Sequence, residues 1–304
     1  MPRIATVFGA TGLQGGSVVR ALLKQGIFTP RAVTRDTSSA GAQELAKIGA
    51  EVVQGDHTNG EDVKKVISGA EVVFAVTVPD FTGKGTGGDL EQGKHIIDAS
   101  KEAGVKFLVW SSTTDIAGPS GGKYTGKHLD DKAAVDEYLR ASGLPSAILY
   151  TGGFLENLTR KTFLDFATLN EAGEISIKSR WGRGTLATLS WTGRDIGLST
   201  AGLFGAYAAG RVSDIAGKAY LVAVAKLPIE ELYERIEKAL GKKVNVTWLE
   251  KVGFPALDDM YDSAQEFPWY PSFTAPDPAL LALGVQIGTI EEFARTELKA
   301  SLGL

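Results

Sequence analysis

The chain has 304 residues, 43% hydrophobic and 22% charged, with 32 Lys and Arg against 36 Asp and Glu for a net charge of -4. That length buries one large core, or one large and one small, and the charge balance excludes general electrostatic capture of nucleic acid. The absence of cysteine excludes disulfides, thiolate nucleophiles and Cys-ligated metals; the histidines at 57, 95 and 128 lack ligand spacing, and no apolar run approaches the roughly 18 residues that span a bilayer.

MPRIATVFG runs straight into a strand with no signal-peptide pattern, so a cytoplasmic protein is expected, the nucleus remaining open. The first apolar run, IATVFG (4–9), ends in Gly9-x-x-Gly12-x-x-Gly15, and the amphipathic SVVRALLKQG follows at once. Glycines between a strand and a helix let the backbone turn tightly and approach a pyrophosphate, which then sits on the helix N-terminus. The spacing is GxxGxxG rather than the general GxGxxG, but its place opening a β-α alternation points to a dinucleotide. The second run, PRAVTR (30–35), ends in Thr34, Arg35 and Asp36. A carboxylate there binds the ribose hydroxyl of NAD and an Arg the 2′-phosphate of NADP. Arg35 comes first, with Ser38 and Ser39 as further donors, so NADP(H) is favoured and NAD(H) is the alternative; a solvated Arg35 beside a turn-forming Asp36 is the plainer reading.

The alternation continues through AEVVQGD (50–56), AEVVFAVT (70–77), VKFLVWSS (105–112) and SAILYTGG (146–153), separated by helical patterns that nearly all end in Gly. Runs without in/out alternation are strands buried on both faces. The expected fold is α/β, a doubly wound parallel (Rossmann) sheet over 1–153. Asp56 closes the third strand either against the adenine or in an Asx-type turn. The patch FTGKGTGGD (81–89) reads as a lid or as a plain connector.

After 154 the rhythm changes. FLENLTRKTFLDFATLN reads as a helix, ISIKSRWGRGTLATLSW as short strands or loops, and DIGLSTAGLFGAYAAG as a helix. YLVAVA, PIEELYERIEKALG and VNVTWLE read as strand, helix and strand; EFPWYPSFTAPDP is irregular, and the last helix opens at Thr289 with a capping box. This describes a smaller α+β domain over 154–304, with 193–225 packing back on the first sheet.

The motifs GATGLQGG, VTRD, AEVVQGD, EQGKHIIDASKEAGVKFLVWSS and HLDDKAAVDEYLRASGLPSAILYTGGFLENL resemble the NmrA-like family, a branch of the atypical short-chain dehydrogenase/reductases. The resemblance is good over residues 3 to about 160 and holds only in general layout beyond. It implies NADP(H) along the strand C-terminal edge, with a cleft closed by the second domain. It places Gly9, Thr11, Gly12, Gln14 and Gly15 at the pyrophosphate, Arg35 at the 2′-phosphate and Asp56 near the adenine. Thr77 and Pro79 fall at the nicotinamide ribose. The family holds both NADPH-dependent reductases and redox-sensing regulators.

Reductases of the broader superfamily use a strand-five Ser and a Tyr-x-x-x-Lys pair on one helix face, in which Lys lowers the Tyr pKa for proton transfer. Here the pair reads His128-Leu-Asp-Asp-Lys132, with Ser111 and Ser112 ending strand five. Lys132 keeps its place; His128, or Tyr124 just before it, is the candidate acid. A helix-start His and strand-end hydroxyls also have plain structural readings. Phe154, Leu155 and Asn157 fall above the nicotinamide, and Trp181, Trp191, Trp269, Tyr270 and Phe273 either line an aromatic pocket or fill a core. Two functions follow: a reductase of a small carbonyl, quinone or enone-like molecule, or a silent NADP(H) sensor acting on a protein partner. Either works as a monomer or homodimer.

Overall fold

The structure, a computed structural model, describes residues 2–79, 88–161 and 166–304. The six expected strands form, as β1 (Ile4–Val7), β2 (Thr29–Thr34), β3 (Glu51–Gln54), β4 (Val72–Ala75), β5 (Phe107–Ser112) and β6 (Ser146–Thr151). Helices α1 (Leu13–Gln25), α2 (Ala40–Lys47), α3 (Gly60–Ile67), α4 (Asp89–Glu102) and α5 (Lys127–Ser142) connect them. β1, β4 and β5 are buried along their whole length, as their unbroken apolar runs require.

The chain then lays down β7 (Gly153–Phe154), β8 (Thr168–Leu169), β9 (Ile175–Ser179), β10 (Leu186–Ser190), α6 (Thr192–Ala208), α7 (Val212–Ile215) and β11 (Ala219–Val222). β12 (Ala225–Pro228), α8 (Ile229–Leu240), β13 (Val244–Trp248) and α9 (Pro255–Glu266) follow. β11 pairs in parallel with β6, giving a seven-stranded sheet in the order β11-β6-β5-β4-β1-β2-β3. α6 packs on α1: a Cβ on Gly197 would lie 2.3 Å from the Ser17 carbonyl oxygen, so only glycine permits the approach. Two three-stranded sheets, β12-β10-β7 and β13-β9-β8, complete the later half.

Two expectations change. Of the helix expected over 154–170, the described residues hold a 3₁₀ turn, Leu155–Thr159, which buries Leu155 and Leu158, three apart, in one core, and the strand β8; residues 162–165 lie outside the described residues. α9 was not anticipated, although Pro255 at its first position is a start signal. The Thr289 capping box is present, with Glu292. Among the described residues, no helix is long and apolar enough to cross a membrane.

Candidate active site

The turn after β1 is built by glycine. Gly9 has φ +62° and its carbonyl accepts from Gly12 N at 2.9 Å; a Cβ on Gly15 would lie 2.3 Å from that same oxygen. The start of α1 is thereby pressed against the strand end. Gly12 caps it without a side chain, and Thr11 and Gly12 are exposed, leaving the first amides open to an anion. This cradle fits a dinucleotide pyrophosphate.

At the end of β2, Thr34 is buried and bonds the backbone of Asp36, while Arg35 is exposed. Asp36 accepts from Ser38 N at 2.8 Å and Ser38 Oγ at 2.6 Å, which holds its carboxyl below the usual range. Ser39 donates to the Asp36 carbonyl and caps α2. Both serines are therefore spent on their own turn, and Arg35 stands exposed at this edge. Asp56 forms the Asx-type turn, accepting from Thr58 N at 2.9 Å and Thr58 Oγ1 at 2.8 Å. Burial pushes its pKa up, but the Thr58 bonds, His57 and Arg35 outweigh that and lower it.

Past β4, Thr77 is buried beside Asp89, the first residue of α4. Thr77 Oγ1 donates to Asp89 Oδ1, and Lys132 Nζ donates to that oxygen at 2.6 Å, to Thr77 Oγ1 at 2.5 Å and to Thr77 O at 3.1 Å. An ammonium has three donors, and all three are used. The Lys132 side chain is 12% exposed and that of Asp89 2%. Burial lowers the Lys132 pKa from its ordinary value, with Asp89 opposing. Asp89, missed in the sequence, is the counterion of the site.

Gln14 does not stop at the glycine turn; its Oε1 accepts from Ser111 Oγ at 2.5 Å, tying α1 to the end of β5. Gln14, Thr77, Pro79, Ser111, His128 and Lys132 share the wall of a cavity of about 570 Å³ with Phe154 and Asn157. Its far side is apolar, with Trp181, Trp269 and the α9 side chains Leu257, Met260 and Tyr261. α9 is pinned there by the buried Arg180, which bonds Asp258 at 3.0 Å and Asp262 at 2.6 Å. Burial is the largest influence on His128 and lowers its pKa; Lys132 adds to this while Asp89 and Asp130 oppose it.

Several candidates lie elsewhere. α5 begins at Lys127 after Gly126, so Tyr124 precedes the helix, and its hydroxyl reaches Glu266 at 2.8 Å rather than the cavity. Trp191 packs on Phe293 in the core and donates to Glu297 at 2.7 Å. Tyr270 and Phe273 line a second cavity. Of the patch 81–89, residues 81–87 lie outside the described residues, so the lid is not described; its last residue is Asp89.

The NmrA-like family domain-containing oxidoreductase cpsB of Aspergillus campestris is 36% identical over 200 residues, 62% of this chain and 59% of that protein. The chain thus spans less than two thirds of that relative's length. The crystal structure of NmrA, a negative transcriptional regulator, in complex with NADP has a TM-score of 0.77 at 21% identity, covering 97% of this chain and 94% of that one. The Citrobacter sp. triphenylmethane reductase complexed with NADP(H) has a TM-score of 0.70 at 19% identity, covering 97% and 99%. At such identities the likeness is one of fold. A sequence profile of the NmrA-like family matches residues 2–271, nearly the whole chain, and the protein belongs to that family.

Proposed function

We propose that the chain binds NADP(H) along the C-terminal edge of the sheet and reduces a small carbonyl, quinone or enone-like molecule. In this reading residues 1–153 hold the cofactor and 154–304 wall the substrate. The observation that carries it is the apolar cavity of about 570 Å³, whose wall includes Thr77, Pro79 and Gln14, the last of these two positions after Gly12. Related folds in complex with NADP support the cofactor, and exposed Arg35 supports the 2′-phosphate.

Gly9, Thr11, Gly12 and Gly15 would hold the pyrophosphate; Thr77, Pro79 and Lys132 would meet the nicotinamide ribose. When bound, the reduced nicotinamide supplies a hydride. Lys132 lies beside the cavity, bonded to Thr77 and Asp89, and would hold a hydroxyl of the nicotinamide ribose. Phe154, Trp181 and Trp269 exclude water and favour a flat apolar substrate. His128 borders the cavity, with its pKa lowered by burial.

The test follows NADPH oxidation by near-UV absorbance against quinones, aldehydes and enones, beside Lys132→Ala. Turnover that collapses in the variant is the expected result. Tight NADPH binding with no turnover of any compound would refute the reductase reading and favour a sensor acting on a protein partner.

A further inference from the structure

Reduction of a carbonyl needs a proton as well as a hydride, and a buried His128 with a lowered pKa is a poor store of one at neutral pH. A second cavity, of about 500 Å³, is lined by Thr113 and Thr114 just past the end of β5 and by residues of α5. Thr113 lines both cavities, and Ser112 lines the first. Asp136, one helical turn beyond Lys132 on α5, lines the second and is 3% exposed. Its Oδ1 accepts from the indole N–H of Trp110 at 2.9 Å. Ser112 pairs across the sheet with Tyr150, so both side chains point to the face that carries Trp110 and Asp136. Tyr150 is fixed in turn by Arg140 at 3.2 Å.

We propose, building on the reductase reading, that this cluster is a proton relay, in which Asp136 takes protons from water in the second cavity and passes them through Ser112 to the substrate oxygen. Hydride addition breaks the substrate π bond and leaves the negative charge on oxygen. That oxygen takes the Ser112 hydroxyl proton, the serine oxygen takes the proton of Asp136, and the carboxylate is refilled from solvent. Atoms and charge balance with one hydride and one solvent proton per turnover.

The surroundings of Asp136 suit the task. Burial is the largest influence and raises its pKa to about 6, against the opposing effects of Ser112, Tyr150, Arg140 and Trp110. Among the described residues, Asp130, Glu137 and Arg140 on its own helix, Asp115 after β5, Tyr150 on β6 and Tyr270 from the chain after α9 line the cavity with it, and Lys132 lies one turn before it on α5. At pH 7 a carboxyl in that range is protonated roughly a tenth of the time, against roughly a thousandth for an ordinary aspartate.

The test measures kcat, KM and NADPH affinity from pH 5 to 9 for the fastest-reduced of 1,4-naphthoquinone, 4-nitrobenzaldehyde and cyclohexenone. In the unmodified protein kcat falls as pH rises through about 6, where Asp136 gives up its proton. In Asp136→Asn and in Ser112→Ala, kcat at pH 7 drops about tenfold or more while KM and NADPH affinity stay within about twofold. The limb near 6 disappears in Asp136→Asn. Should that variant fail to fold, Tyr150→Phe, which removes a bond holding the carboxyl down, moves the limb to higher pH. An unchanged limb in either variant, or full kcat in Ser112→Ala, overturns the relay and leaves the reductase reading standing. Unmodified protein that binds NADPH and reduces none of the three sinks both.

Discussion

Replacing Asp89 by Ala strands a charge. The Lys132 ammonium sits 2.6 Å from Asp89 Oδ1, with side chains 12% and 2% exposed. At that separation, with an effective dielectric of about 20, the attraction is about 6 kcal/mol. Desolvation of several kcal/mol per ion offsets most of it, so the intact pair adds little net stability. Removing one partner leaves the other buried and uncompensated, at a cost of about 3–5 kcal/mol. Asp89→Ala is therefore expected to lose that much unfolding free energy at pH 7 in urea. Adding Lys132→Met removes the stranded ammonium, so the double variant is more stable than Asp89→Ala by about 1 kcal/mol or more. The pH dependence has a fixed sign. Burial already holds the folded Lys132 pKa below 10.5, and without Asp89 it falls further. Between the variant's folded pKa and the unfolded one, the unfolded state binds more protons, so stability rises with pH. The deficit against the unmodified protein thus narrows as pH rises from the variant's folded pKa to that of the unmodified protein, both below 10.5. A double variant no more stable than the single one, together with a deficit that ignores pH, would refute the stranded charge.

Gly15→Ala places a methyl 2.3 Å from the Gly9 carbonyl oxygen, and it is expected to cost about 3 kcal/mol and abolish NADPH binding, read by urea midpoint and by nucleotide fluorescence titration. Normal binding by that variant would show that the turn has more room than its geometry allows. Arg35→Ala should weaken NADPH by about tenfold, the loss of a charge-assisted contact, and leave NADH unchanged; an equal loss for both places the arginine away from the 2′-phosphate. Burial raises the Glu156 pKa from 4.5 to about 7 despite a bond from Gly193 N at 2.5 Å. The folded state then binds more protons between those values, so stability falls as pH rises through the window. Glu156→Gln lacks that loss, and relative to the unmodified protein it should gain about 3 kcal/mol between pH 4.5 and 7.5. Parallel urea curves for the two proteins across that range would contradict the raised pKa.

The cofactor edge was legible because it is local. A strand, three glycines and a helix lie within residues 4–25, and their spacing states the backbone geometry they need. Lys132 and Ser111 were named because the reductase superfamily's strand-five Ser and Tyr-x-x-x-Lys pattern falls on them. Asp89 was not, since it closes a glycine-rich patch and meets Lys132 only across 43 positions of chain. Tyr124 failed for a related reason: four residues before His128 is one helical turn only if the helix extends that far, and Gly126 ends it. Aromatic residues carry no address in sequence. Trp181 and Trp269 reached the cavity while Trp191 fed the core, a difference set by which neighbours complete each ring's packing. α9 supplies much of the apolar wall, yet its apolar positions are diluted by Asp258, Asp259 and Asp262, two of which serve Arg180.

The pairing of α6 with α1 sets the timetable of synthesis. The face of α1 that carries Ser17 meets Gly197, Gln25 bonds the Ala201 carbonyl at 2.8 Å, and Phe28 packs on Phe204 at 5.7 Å. A nascent chain that has emerged only through β6 has the whole glycine turn but lacks both the partner of α1 and the strand that covers the β6 edge. Until residue 222 clears the ribosome, that half presents a bare apolar helix face and an open strand, the features that invite off-pathway association. The stretch through β6 is made before the elements that seal it, and a polypeptide cut near residue 153 would stay in that unfinished state.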